Sequence, residues 1–90
     1  MANAYLFSPK SMTAQQYDEC IRKLEAAGAG HPPGRLFHAC YGTGDQLRVF
    51  DIWESEETFG AFGPILGPIL AELGVDPGTP QVMPVHHTLP

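Results

Sequence analysis

Residues 35–55 read RLFHACYGTGDQLRVFDIWES, two apolar runs either side of a glycine-containing segment. Aromatic and aliphatic residues fill the runs and GTGD carries turn chemistry, so the stretch predicts a β-hairpin. A turn centred on Thr43 and Gly44 sets His38 opposite Val49 and Leu36 opposite Asp51. Apolar side chains occupy adjacent positions in both strands instead of alternating with polar ones. That pattern belongs to a sheet covered on both faces.

Before the hairpin, ANAYLFS at 2–8 suits a strand. Thr13 and Gln16 form a capping box, with Met12 and Tyr17 as a hydrophobic staple. Tyr17, Cys20, Ile21 and Leu24 then keep helical spacing, and Gly28 supplies a left-handed stop, which predicts a helix over 14–27. GAGHPPGR is loop. After the hairpin, Ser55 is an N-cap, with Glu56 and Glu57 in the first turn, where the helix dipole favours anions. Phe59 and Phe62 share a face.

The repeat GPILGPIL at 63–70 then sets two prolines one turn apart. Proline in a helix interior removes a donor and clashes with the preceding turn. The sequence therefore predicts a joint: one piece ends near Gly63, a second starts with Pro64 at its first position. Pro68 adds a bend or a 3₁₀-like turn, and Ile65, Leu66, Ile69, Leu70 and Leu73 continue the apolar face, closing one end of a cavity. VDPGTP is loop, and QVMPVHHTL reads as a last strand with Pro84 on an edge or at a bulge.

The order is β-α-β-β-α-β, an α+β ferredoxin-like arrangement in a single domain over residues 1–90. Its four-stranded antiparallel sheet has helices on one face only. The opposite apolar face then predicts a homodimer in which two sheets meet about a two-fold axis. A net charge of −5, with Lys10, Arg22, Lys23, Arg35 and Arg48 scattered, argues against a nucleic-acid partner. No signal peptide or spanning segment is visible, so no membrane is expected and the expected compartment is the cytoplasm. Cys20 and Cys40 lack CxxC spacing and are read as reduced packing residues.

DIWESEETFGAF, its L-G-P-I-L-type continuation, the GRLFHACYGTGDQLRVFDIWES hairpin and the closing PQVMPVHH strand resemble the dimeric α/β-barrel superfamily. Within it they are most similar to the antibiotic-biosynthesis-monooxygenase-like group of small uncharacterised proteins. The resemblance covers nearly the whole chain and implies a homodimeric barrel. It specifies the reaction less well, because the superfamily includes cofactor-free oxygenases, haem-degrading enzymes, cyclases, isomerases and proteins without known activity. Trp53 matches a cavity-lining Trp of the haem-degrading members. Their first-strand Asn and haem-ligating His correspond here to Tyr5 and a position near Glu72, so the resemblance does not extend to haem and no cofactor is expected.

If Trp53 faces the helices, alternation brings Asp51 and Val49 to the same face. The predicted register adds His38 and Leu36, and the first strand adds Tyr5 and Phe7. His38 and Asp51 then lie diagonally, where a carboxylate can orient an imidazole as general base. The competing reading is a core histidine beside a solvated aspartate. Tyr5, Phe7, Trp53, Phe59, Phe62 and Leu66 form either an aromatic and apolar wall for a planar ligand or ordinary core. His86 and His87 alternate across the last strand, His31 sits in a solvated loop, and Cys40 lacks an activating charge. No residue set has metal-ligand spacing.

The resulting expectation is a binder of a small hydrophobic or aromatic metabolite. If it is an enzyme, the resemblance implies cofactor-independent oxygenation of an activated phenol or enol, or a cyclase or isomerase using the same base. In that reading His38 deprotonates, Asp51 orients it, and Trp53 and Tyr5 position the ring. The alternative is a non-catalytic ligand-binding or dimerisation module.

Overall fold

The computed structural model describes all 90 residues. Its elements run β1 (Asn3–Phe7), α1 (Ala14–Ala26), β2 (Arg35–Tyr41), β3 (Arg48–Trp53), α2 (Glu56–Glu72) and β4 (Gln81–Pro84). The strands form one antiparallel sheet in the order β2-β3-β1-β4. This is the ferredoxin-like α+β fold expected from the element order. The first helix starts as its residues dictate: the Gln16 amide donates to Thr13 Oγ1 at 3.1 Å, and the Gln16 side chain accepts from the Thr13 amide at 2.9 Å. Gly28 ends it at φ 75°, a conformation that costs a residue without Cβ little.

The hairpin forms, but its register differs from the sequence expectation. His38 stands opposite Asp51, and Cys40 opposite Val49, a shift of two residues along β3. The reason is tertiary. The Met12 amide donates to Asp45 O at 2.7 Å and the Leu47 amide to Met12 O at 3.2 Å, so residues 45–47 leave the hairpin to pair with the segment before α1. A two-residue shift preserves which face each side chain takes. The face assignment therefore survives while the partners change.

A second difference lies at the start of β2. A bulge between Arg35 and Phe37 leaves Leu36 unpaired and 61% exposed. Arg35 takes the place opposite Trp53, so Leu36 is not a cavity residue. Upstream, Gly34 has φ 87°, and a Cβ there would meet Thr58 at 2.4 Å. Only glycine lets the start of β2 lie this close to the first turn of α2.

The GPILGPIL joint is not observed. A single α-helix runs from Glu56 to Glu72 with Pro64 and Pro68 inside it, and neither a break nor a 3₁₀ turn occurs at either residue. Each interior proline costs an unsupported helix about 3 kcal/mol relative to alanine. Both prolines and Gly60 are solvent-exposed, so the carbonyls of Gly60 and Pro64, deprived of their usual donors, can turn to water. Phe62 and Leu70 are buried on the opposite face, with Phe59, Leu66, Ile69 and Leu73 packed against the core. That anchored face keeps the helix continuous.

β4 spans Gln81–Pro84 only, shorter than the predicted run. Pro84 does sit on an edge strand, as its missing donor requires. His86 and His87 lie beyond the strand and are exposed, so they do not alternate across the sheet. No helix is long and apolar enough to cross a membrane.

Candidate functional site

The helix-facing side of the sheet carries Tyr5, Phe7, His38, Val49, Asp51 and Trp53, as register pairs Tyr5–Asp51, Phe7–Val49 and His38–Asp51 require. Between this face and the helices is a largely apolar cavity of about 220 Å³. Phe7, Val49, Phe59, Phe62 and Leu66 form apolar wall; Tyr17, Arg35, His38 and Asp51 carry its polar groups. Gly63 and Gly67 also line it and are exposed, so the cavity reaches the surface along α2.

His38 is the centre of a hydrogen-bonded chain. Its Nδ1 lies 2.5 Å from Asp51 Oδ1 and its Nε2 2.5 Å from Tyr17 Oη. Trp53 Nε1 donates to Asp51 Oδ2 at 3.2 Å. Asp51 is 6% exposed, and a carboxylate so buried needs donors on its oxygens. With Asp51 ionised, Nδ1 carries the proton and donates to it. Nε2 is then the basic atom, accepting from the Tyr17 hydroxyl. Burial is the largest cause that pushes the Tyr17 phenol up to about 12; Cys40 and Asp51 raise it further and Arg35 opposes them. Tyr17 is therefore held as a neutral donor.

The expected pairing of His38 with Asp51 is thus present, closer than predicted: the two are directly opposite instead of diagonal. Phe7, Phe59, Phe62 and Leu66 line the cavity as expected. Tyr5 and Trp53 do not. Tyr5 stacks on Phe59 at 4.1 Å between ring centroids, and Trp53 packs on Phe62 at 5.4 Å and edge-on to Phe59 at 5.6 Å. Both are sealed behind the wall, Trp53 with no exposed surface at all. Phe59 and Phe62 stand between them and the cavity because α2 runs unbroken across the sheet. Trp53 acts as a donor to Asp51, and the buried Tyr5 hydroxyl has no hydrogen-bond partner.

Sequence reasoning missed two residues. The spacing marks Tyr17 only as a staple, although the same helical face that buries Cys20 and Leu24 brings its hydroxyl to His38, with the two rings nearly parallel and their centroids 5.9 Å apart. Arg35 reaches the cavity only through the bulge, for which the sequence holds no signal. Cys20 and Cys40 are free thiols. Burial raises both above the ordinary thiol range, aided at Cys40 by Asp18, which leaves little thiolate for nucleophilic attack.

No protein-family model matches the chain, and no curated protein does. Solved structures of the same fold do match. One is a protein from Chloroflexus aurantiacus given as a candidate antibiotic biosynthesis monooxygenase, at 13% identity and TM-score 0.70, covering 100% of this chain and 98% of that one. SnoaB, a cofactor-independent oxygenase from Streptomyces nogalater, matches at 18% identity and TM-score 0.60, covering 99% and 95%. A monooxygenase of Streptomyces coelicolor in complex with Nanaomycin D matches at 23% identity and TM-score 0.50, covering 99% and 91%. The chain shares their fold, in agreement with the resemblance seen in its sequence.

Proposed function

We propose that this chain, which has the fold of the antibiotic-biosynthesis-monooxygenase-like proteins, binds a small hydrophobic or aromatic metabolite and oxygenates it without a cofactor. The observation that carries the reading is His38, fixed by Asp51 on one nitrogen and presenting the other at an apolar cavity. His38 Nε2 takes the proton of a phenol or enol once the substrate hydroxyl displaces that of Tyr17. Asp51 stabilises the imidazolium that results, and Trp53 holds Asp51. The electron-rich anion left in the cavity is the species that dioxygen oxidises. In the simplest balance a CH₂ group and O₂ become C=O and H₂O, the substrate supplying the electrons. SnoaB, a cofactor-independent oxygenase of the same fold, supports this chemistry.

One observation favours a binding module instead: Nε2 is already bonded to Tyr17. Dioxygen uptake with anthrone and a set of naphthols decides between them. The oxygenase reading expects turnover by the purified chain and a loss of about a hundred-fold or more in His38→Ala, with the circular dichroism unchanged. No uptake by the parent chain favours the binding reading.

The proposed assembly is a homodimer, supported by the open sheet face. Phe37 and Met83 are 51% and 68% exposed there, beside half-buried Leu6, Phe50 and Ile52. Two such faces packed together cover them. A cytoplasmic setting suits the free Cys20 and Cys40, and the net charge of −5 disfavours nucleic acid as a partner.

A further inference from the structure

Arg35 is the one cationic side chain lining the cavity. It has no carboxylate partner, since the ion pairs of the chain are Arg22–Glu19, Lys23–Glu72 and His38–Asp51. Its hydrogen bonding is a single long contact from Nη2 to Gly30 O at 3.4 Å. A guanidinium has five N–H donors, arranged to match a carboxylate two at a time. Here most of them are unspent, in a half-buried position beside apolar wall. The nearby acid cannot serve, because Asp51 is committed to His38 and Trp53.

The backbone is built to put Arg35 there. The bulge at Leu36 turns Arg35 onto the cavity face opposite Trp53, and Gly34, pressed against Thr58, clamps the strand start to α2. Bulges commonly re-aim a side chain beside a functional site. Arg35 is also close enough to Tyr17 to work against the upward shift of its phenol, so the cation and the His38–Tyr17 pair share one electrostatic environment.

We propose that the cavity takes an apolar, planar molecule bearing a carboxylate, which Arg35 holds while an acidic hydroxyl reaches His38. The inference rests on the cavity being the ligand site. Arg35 and His38 stand opposite Trp53 and Asp51, two residues apart on β3, which separates them by about 6.6 Å along the sheet. That spacing suits an acid and a hydroxyl at opposite ends of a small ring system. One arginine balances one negative charge, so a monoanionic carboxylate fits better than a phosphate dianion beside Asp51.

Calorimetric titration of the purified chain with 6-hydroxy-2-naphthoate and 2-naphthol tests this. The two probes share the ring and hydroxyl and differ in the carboxylate. The parent chain is expected to bind the acid about ten- to a hundred-fold more tightly, as a charged hydrogen-bonded pair implies. Arg35→Gln is expected to lower the affinity for the acid about ten-fold or more beyond any change for 2-naphthol, removing that advantage, while Arg35→Lys keeps part of it. The lysine variant also keeps the test open should glutamine disturb the start of β2. Equal binding of both probes by the parent chain, or an advantage that survives Arg35→Gln, overturns the carboxylate site and leaves the cavity reading standing. If neither probe binds the parent chain, the cavity reading and this inference both fall.

Discussion

His38 illustrates what a single residue can do when its neighbours are fixed. Alternation along β2 and β3 was enough to predict that His38 and Asp51 share a face, because a register change of two leaves faces intact. The third and fourth members of the chain were not legible. Tyr17 lies 21 positions away in sequence, and strand alternation marks Trp53 as cavity wall, whereas its indole N–H is a donor to Asp51. Tyr17 also yields a pH prediction. Its phenol is raised to about 12, so the neutral form is the one the fold favours. That contribution to stability is whole below the ordinary tyrosine range and is lost as pH rises from about 10 toward 12. Ultraviolet difference titration should show a late phenolate step that is lost in Tyr17→Phe. A Tyr17 that ionises together with the exposed Tyr41 would mean that the burial of its phenol does not persist in solution.

At the scale of elements, both helix starts and the order of strands were readable, because capping and apolar spacing are local. The hairpin register and the path of α2 were not. Register was decided when Met12 captured residues 45–47. Proline's effect on a helix depends on what lies around the turn: water on one side and packed Phe62 and Leu70 on the other turned a predicted joint into a continuous helix. Pro64 still carries its local cost. Pro64→Ala should stabilise the fold by about 2 kcal/mol, the helix-interior penalty less proline's restriction of the unfolded chain, measured by urea unfolding. An unchanged midpoint would mean that α2 is already interrupted there in solution.

For the molecule as a whole, the helices cover one face of the sheet and leave the other open. Phe37 and Phe50 meet edge to face there at 6.1 Å, with Met83, Leu6 and Ile52 nearby. A charge placed in such a patch opposes its burial against a second copy. Phe37→Glu should convert a two-chain mass to a one-chain mass in equilibrium sedimentation, with far-ultraviolet circular dichroism retained. A parent chain that sediments as one chain would remove the homodimer from the proposal.

The sequence by itself determined the element order, the ferredoxin-like topology and the face on which His38 and Asp51 meet. Each follows from periodicity, caps and turns, which act over a few residues. Tertiary structure alone decided that Tyr17 closes the far side of His38, that Tyr5 and Trp53 retreat behind Phe59 and Phe62, and that Arg35 replaces Leu36 at the cavity. Those outcomes depend on contacts between segments far apart in the chain and on one bulged residue. Local propensity carries no information about either, because the energy that selects them appears only when the sheet and helices pack.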